Sequence, residues 1–239
     1  MAGAAVEAGV RPFKVLILGN SAVGKTTLVD RITTSIFNHE TQPTIGAGFS
    51  VVSTEVMGSR GSMPVKAHLW DTSGQELYRS ITTSYFRGAD AAIFCFDLTD
   101  DSSRDALLAQ WVEDLADQAS DALVLLVGCK HDLTVHGDGD ARSDGGTSTT
   151  ARGPAFGSAV SRERAEETAR ELELTLQARR IEDGVPNAPS ATSMPGSRSG
   201  GSDRLTDGKD ASWSPWRVRY IATSSVSGEG VEPMIRGLL

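Results

Sequence analysis

A glycine-rich octapeptide near the start of the chain combines residue types and spacing that suit phosphate binding. Residues 19–26 read GNSAVGKT and fit the pattern GxxxxGK[ST], between the apolar run FKVLIL and the start of a helix. Glycines let backbone N–H groups curl around phosphate oxygens, and a helix N-terminus adds positive potential. Lys25 would reach the β- and γ-phosphates, and Thr26 would supply a magnesium ligand. The residues predicted to bind the ligand here are Asn20, Ser21, Ala22, Val23, Gly24, Lys25, Thr26 and Thr27.

The heptapeptide WDTSGQE at 70–76 is a second candidate for phosphate chemistry. Asp71, at the end of an apolar run, could face magnesium through water, and the N–H of Gly74 could reach a γ-phosphate. Gln75 could orient an attacking water. The pattern DxxG alone fits a plain loop equally well. Its place behind the octapeptide, with Thr44 in between, favours the functional interpretation.

Apolar runs predict the strands that must position these residues. The runs at 13–18, 91–96 and 122–128 are nearly uninterrupted and are typical of parallel strands that are covered on both faces. Segments 49–57 and 65–70 can pair as an antiparallel hairpin across Gly and Ser residues.

Helical periodicity separates these runs. A helix is predicted from about 25 to 33, and an apolar stripe at 107, 111 and 115 predicts another that covers the sheet. A third helix begins near Ser161, with one apolar face at 165, 169, 172 and 176, and 217–222 supplies a last strand. Strands that alternate with helices predict a doubly wound α/β fold.

Composition narrows the class of protein. The 239 residues carry 23 Lys and Arg against 31 Asp and Glu, and we find no local basic patch, so we expect no nucleic-acid partner. No apolar run approaches the roughly 18 residues of a membrane span, and Cys95 and Cys129 in apolar stretches fit reduced thiols in the cytoplasm. We predict a flexible tail at 1–12 and one domain over 13–239, with disordered insertions at 134–158 and 184–210, where Gly, Asp, Ser and Thr dominate.

Several short segments in order resemble the Rab branch of the Ras superfamily of small GTPases. TIGAGF at 44–49 resembles the switch segment TIGxxF, while LYRSI at 77–81 and YFRGA at 85–89 resemble RYRSI and YYRGA. The similarity covers 13–133 almost continuously and later parts in pieces. It implies a P-loop NTPase (Ras-like) fold, a mostly parallel six-stranded sheet with helices on both faces, and binding of GTP or GDP with Mg²⁺.

The resemblance also assigns roles to single residues. It implies that Thr44 ligates magnesium and senses the γ-phosphate, and that Gln75 positions water. The implied catalytic residues are Gln75, Lys25 and Thr44, and the implied metal residues are Thr26, Thr44 and Asp71. Phe37 matches the aromatic that leans on the guanine edge, although a phenylalanine also suits a core. Phe49, Trp70 and Tyr85 match a triad that effectors read; three aromatics alone are more often core residues, so this role rests wholly on the resemblance.

The base-reading segments depart from the family. Where Rabs have NKxD, residues 129–132 read CKHD: Lys130 and Asp132 are kept, but Cys129 replaces the asparagine. Asp132 can still accept from the guanine N1–H and exocyclic amine, so guanine selectivity should survive, at a cost in affinity of about 1 to 2 kcal/mol. TSSVSG at 223–228 resembles TSAKTG. The residues implied to bind the base are Phe37, Cys129, Lys130, Asp132, Ser224, Ser225 and Val226, with Gly74 at the γ-phosphate.

The resemblance implies a nucleotide switch in vesicle traffic, regulated by exchange factors, GTPase-activating proteins and effectors. The resemblance also implies that this switch acts on the cytosolic face of endomembranes. TIGAGF is most similar to the segment of a Rab subgroup that includes endosomal members. The chain ends at Leu239 without a terminal cysteine, so we expect no covalent basis for membrane anchoring in these residues. The alternatives are a degenerate Rab-like scaffold that binds nucleotide weakly without efficient hydrolysis and, less favoured, a P-loop kinase or ATPase.

Overall fold

Among the residues that the computed structural model describes (11–58, 61–75, 84–134, 159–182 and 218–239), six strands form one sheet. The spatial order is β2-β3-β1-β4-β5-β6; β2 is antiparallel to β3, and every other neighbouring pair is parallel. This topology confirms the predicted α/β fold. The strands are β1 (Phe13–Leu18), β2 (Ala47–Gly58), β3 (Gly61–Thr72), β4 (Ala91–Asp97), β5 (Leu123–Cys129) and β6 (Arg219–Ala222).

Helices cover both faces of the sheet. On one face, α2 (Asp101–Gln118) and α3 (Arg162–Glu182) pack against one core cluster, and on the other α1 (Lys25–Thr34) and α4 (Val231–Leu238) pack against a second. The stripes predicted from periodicity are buried as expected, because apolar side chains three or four positions apart share one helix face. They comprise Leu107, Trp111 and Leu115 on α2, and Ala165, Ala169, Leu172 and Leu176 on α3.

Several strand boundaries differ from the sequence prediction. The hairpin strands extend to Gly58 and Gly61, because cross-strand pairing continues through polar positions; the Ser62 hydroxyl donates to Glu55 Oε2 at 2.7 Å there. Strand β6 begins at Arg219, two residues later than predicted.

Several predictions concern residues outside the described part of the chain. They include most of the tail at 1–12, the LYRSI segment, and the two predicted insertions apart from Thr134. These stay predictions. Within the described residues, no helix has both the length and the apolar character needed to cross a bilayer.

The parallel strands gather four loops at one edge of the sheet. The carboxyl ends of β1, β3, β4 and β5 lie side by side, because each of these strands runs in the same direction as its parallel neighbours. The octapeptide, the segment after Asp71, the turn after Asp97 and the segment around Lys130 follow these four strands. Ligands of open α/β sheets bind in the crevice outside the carboxyl ends of the strands.

Candidate functional site

A cleft of about 600 Å³ opens at this edge of the sheet. Of the predicted site residues, it is lined by Ser21, Ala22, Gly24, Lys25, Thr26, Thr27, Phe37, Thr44, Gly74, Gln75, Cys129, Lys130, Asp132, Ser225 and Val226. The cleft is not lined by four of the predicted residues, which are Asn20, Val23, Asp71 and Ser224. Val23 is buried in the core, and Asn20 reaches the site through its backbone carbonyl.

Two glycines give the octapeptide its shape. Gly19 has a φ of 139°, and a Cβ there would lie 2.1 Å from the Cys95 carbonyl oxygen, so the loop passes directly against β4. Gly24 has a φ of 107° and caps α1, a conformation that side chains of L-residues rarely adopt. The chain can therefore turn from β1 into α1 while the helix N-terminus faces the cleft.

The Lys25 side chain is enclosed by this loop. It is 6% exposed, and Nζ donates to the Asn20 carbonyl oxygen at 2.6 Å. Burial lowers the pKa of Lys25, an effect that the nearby Cys95 and Asp71 oppose. A buried ammonium in a cleft is stabilised when an anion such as a phosphate binds beside it.

The oxygen-bearing side chains of Thr26, Thr44 and Asp71 lie together beside the phosphate loop. The Thr26 hydroxyl donates to Asp71 Oδ2 at 2.6 Å and lies 2.9 Å from Thr44 Oγ1, which is itself 3.3 Å from Asp71 Oδ2. Asp71 is 5% exposed, and its Oδ1 is buried without a hydrogen-bond partner in the described structure. Burial raises the pKa of Asp71, while the Thr26 hydrogen bond and Lys25 oppose this shift.

This group fits a magnesium ion. Mg²⁺ prefers hydroxyl, carboxylate and water oxygens, and it is usually held by few protein ligands together with substrate phosphates. The unpartnered Oδ1 of Asp71 has a remaining acceptor site that a metal-bound water would fill. The predicted metal residues Thr26, Thr44 and Asp71 therefore lie together.

The segment after β3 packs closely on the phosphate loop. A Cβ on Gly74 would lie 2.3 Å from the Asn20 carbonyl carbon and from the Ser21 nitrogen, so only glycine fits there. The Ser73 N–H donates to the Gly46 carbonyl at 2.8 Å, and the Gln75 N–H donates to Ser73 Oγ at 3.3 Å. Gln75 also lines the cleft.

The two base-reading segments meet although 91 positions separate Asp132 from Thr223. The Thr223 N–H donates to the Gly128 carbonyl at 2.7 Å, and the His131 N–H donates to the Thr223 carbonyl at 3.1 Å. The fully buried Ser224 hydroxyl donates to Asp132 Oδ1 at 2.7 Å. Asp132 is therefore oriented by the second segment while it lines the cleft.

A sequence profile of the Ras family matches residues 14–178, more than half of the chain. The chain belongs to the Ras family. Ras-related protein RABA3 of Arabidopsis thaliana is 46% identical over 124 residues, which is 52% of this chain and 50% of that protein. Ras-related protein Rab-25 of Homo sapiens is 43% identical over 123 residues, or 51% and 55%. RABA2d of Arabidopsis thaliana is 39% identical over 145 residues, or 60% and 64%.

The relatives carry Rab names, which confirms the predicted Rab branch. The chain spans about half the length of the first two relatives that it matches.

Cys129 is the main departure of this Ras-family chain from the base-reading pattern. Its side chain is 2% exposed, and its Cβ lies 3.4 Å from the position that a Cβ on Gly24 would occupy. It also lies beside Cys95, whose thiol pKa is raised well above its usual range by this neighbour and by burial. The thiol therefore lies against the phosphate loop, and Cys129 also lines the cleft.

The predicted aromatic triad is contiguous and lies outside the cleft. The ring centroids of Phe49 and Trp70 are 5.2 Å apart, and those of Trp70 and Tyr85 are 5.1 Å apart. Phe49 is 52% exposed, while Trp70 and Tyr85 are half-buried, so the triad is not purely core. His68 extends it, with its ring 5.0 Å from Phe49.

Sequence reasoning missed several residues of this site. Phe37 is half-buried at the cleft wall and contacts the ring of His39 edge-on at 4.6 Å, which favours the base-side interpretation over a core position. Most of the wall residues that were missed lie between Phe37 and Thr44 in the sequence, and this position could have indicated them. The missed residues at the wall are His39, Thr41, Gln42, Pro43, Ser73 and Leu133.

Proposed function

We propose that the chain is a molecular switch that binds GTP and GDP in this cleft and hydrolyses GTP. The observation that carries the proposal is the meeting, in one cleft, of the phosphate loop, the cluster of Thr26, Thr44 and Asp71, and the Asp132 carboxylate. Groups that suit phosphate, metal and base are then present in the single cleft that a nucleoside polyphosphate would occupy.

Each group has a defined chemical task. Lys25 and the loop N–H groups neutralise the β- and γ-phosphates. Asp132, held by Ser224, accepts from the guanine N1–H and the amine at C2. Adenine has an unprotonated N1 and carries its amine at C6, so the Asp132 carboxylate would face an acceptor and lose these hydrogen bonds. Phe37 covers the base side of the cleft.

Thr26, Thr44 and Asp71 would hold magnesium, which neutralises charge that develops on the phosphates during transfer. Gln75 orients the attacking water toward the γ-phosphate. Thr44 and Gly74 belong to the segments that a γ-phosphate would hold, and loss of that phosphate would release them. Partner proteins would recognise this change of conformation.

We further propose that the protein works in vesicle traffic on the cytosolic face of endomembranes, endosomal ones in particular. The Rab names of its relatives and the partly exposed triad of Phe49, Trp70 and Tyr85 support this role. Its partners would be exchange factors, GTPase-activating proteins and effectors that contact the triad and the segments beside it.

The experiment is a single-turnover assay of phosphate release from GTP with wild type and Gln75→Leu. We expect unchanged GTP affinity and at least a tenfold slower hydrolysis in Gln75→Leu, because water positioning is lost while binding groups remain. Gln118→Leu, on the exposed end of α2, is the matched control and should behave as wild type.

Other outcomes contradict parts of the proposal. Bound GTP without phosphate release in wild type would favour the weak-binding scaffold, and equal rates in both proteins would reject the role of Gln75. Hydrolysis of ATP in preference to GTP would favour a P-loop ATPase.

A further inference from the structure

An ion pair behind the cleft connects β4 to the base-reading segment. Lys130 Nζ donates to Asp97 Oδ2 at 2.6 Å, although the two residues are 33 positions apart. Lys130 lines the cleft, whereas Asp97 is buried at the carboxyl end of β4. We propose that Asp97 is a positioning residue that fixes the Lys130 ammonium for nucleotide binding, an inference that rests on the proposed function.

The two oxygens of the Asp97 carboxylate have separate partners. Oδ1 accepts from the Thr99 backbone N–H at 2.8 Å and from the Thr99 hydroxyl at 2.7 Å. Oδ2 accepts from Lys130. The turn after β4 therefore holds the carboxylate in place, and one oxygen remains directed at the ammonium.

The pairing of β4 with β5 places Asp97 and Lys130 side by side at the carboxyl ends of these strands. Asp97 on β4 is in register with Cys129 on β5, and Lys130 is the next residue after β5. The Leu98 N–H donates to the Cys129 carbonyl at 3.0 Å, which extends the pairing past the strand end. The backbone of Lys130 has a φ of 62°, an uncommon conformation for a residue with a side chain. From this backbone position, the 2.6 Å contact to Asp97 fixes the direction of the Lys130 side chain.

A fixed lysine is a better binding group than a free one. A lysine side chain loses much rotamer freedom when it is ordered, and a group that is ordered before binding does not incur this loss on association. The short, partly buried, charge-assisted hydrogen bond to Asp97 provides that ordering. Without it, the ammonium would have to be ordered by the nucleotide itself.

Substitution of Asp97 by asparagine separates the two roles of the carboxylate. In Asp97→Asn, the amide oxygen can still accept from Thr99, while the opposite atom becomes an NH₂ group that faces the ammonium. We expect the dissociation constant for GDP, measured with a fluorescent GDP analogue in the presence of magnesium, to rise about fivefold to tenfold.

A matched control and a double-mutant cycle make the test specific. Thr99→Val removes the hydroxyl hydrogen bond to Oδ1 but keeps the hydrogen bond from the Thr99 backbone N–H, which still holds the carboxylate with Oδ2 facing Lys130. Its affinity should therefore stay within about twofold of wild type. In a Lys130→Met background, Asp97→Asn should have no further effect on affinity, because the group on which it acts is gone. Thermal unfolding of the nucleotide-free variants checks that each one is folded.

The outcomes distinguish this proposal from the function on which it rests. If wild type binds no GDP, the proposed function and the role of Asp97 both fail. If wild type binds GDP and Asp97→Asn binds it equally well, the role of Asp97 alone fails. It also fails if Asp97→Asn weakens binding equally in the Lys130→Met background, since Asp97 would then act only on the fold.

Discussion

The Thr26 hydroxyl donates a 2.6 Å hydrogen bond to Asp71 Oδ2, which joins the first turn of α1 to the end of β3. The two residues are 45 positions apart, and the parallel pairing of β1 with β3 brings them together. Asp71 keeps its second oxygen buried and without a partner in the described structure. A carboxylate in that environment is stabilised by a cation.

Asp71→Asn is predicted to remove most of the effect of magnesium on nucleotide retention. An amide is a weaker metal-side acceptor than a carboxylate, and the charge that opposes the cation is lost. We expect GDP to leave wild type at least tenfold faster with EDTA than with magnesium, and to leave Asp71→Asn at similar rates in both. The measurement is the release of a fluorescent GDP analogue after addition of excess GDP.

Asp121→Asn, at an exposed carboxylate outside the cleft, is the control and should keep the wild-type response to magnesium. A full response to magnesium in Asp71→Asn would contradict the proposed metal site.

Cys129→Asn is predicted to tighten GDP binding. Asparagine is close to cysteine in volume and would supply amide hydrogen bonds between the phosphate loop and the base-reading segments, which a thiol makes poorly. A gain of about 1 to 2 kcal/mol corresponds to roughly a fivefold to thirtyfold lower dissociation constant. Fluorescence titration with a GDP analogue measures it.

Cys95→Ala is the control for this prediction, because Cys95 is buried beside Cys129 but does not line the cleft. Its affinity should remain close to that of wild type. Unchanged affinity for GDP in Cys129→Asn would contradict the prediction, because an amide at this position would then not strengthen nucleotide binding.

Ser224→Ala is predicted to weaken GDP binding by about tenfold or more. Ser224 is fully buried, and its hydroxyl orients the Asp132 carboxylate through a 2.7 Å hydrogen bond. Hydrogen bonds to charged groups contribute about 1.5 to 3 kcal/mol. Ser225→Ala, at the neighbouring position on the cleft wall, tests whether any loss is specific to the contact with Asp132. Equal affinities for wild type and Ser224→Ala would contradict the role of this contact.

The residues that do chemistry could be predicted where their neighbours in sequence determine their geometry. GNSAVGKT carries its own turn, since Gly19 and Gly24 adopt positive φ values and the helix begins at Lys25. The buried stripe of Leu107, Trp111 and Leu115 was equally predictable, because it depends only on helical spacing.

Contacts that depend on strand register could not be read from the sequence. Asp97 faces Lys130 only because β4 and β5 pair with Asp97 opposite Cys129. No local pattern specifies that pairing. The cleft wall at His39 likewise depends on how an irregular segment packs, for which hydrophobic periodicity gives no signal.

Tyr220→Phe is predicted to reduce the loss of stability at alkaline pH. Burial raises the pKa of Tyr220 to about 12, an effect that Arg162 opposes. An unfolded tyrosine titrates near 10, so the folded state favours the neutral phenol. This contribution to stability is complete below about pH 10 and is lost as the pH rises through about 12.

The free energy of unfolding, measured by urea titration from about pH 9 upward, should fall more steeply for wild type than for Tyr220→Phe. Tyr85→Phe, which removes the hydroxyl of another half-buried tyrosine, serves as the control. Parallel pH profiles for wild type and Tyr220→Phe would contradict the effect of burial on this phenol.

The most direct test of the account is calorimetric titration of the purified, nucleotide-stripped protein with GDP in excess magnesium, and with ADP as the comparison. The account predicts one binding site per chain for GDP and at least a hundredfold weaker binding of ADP, because Asp132 pairs with the guanine edge alone. Absence of binding heat with GDP, or equal affinity for GDP and ADP, would contradict it.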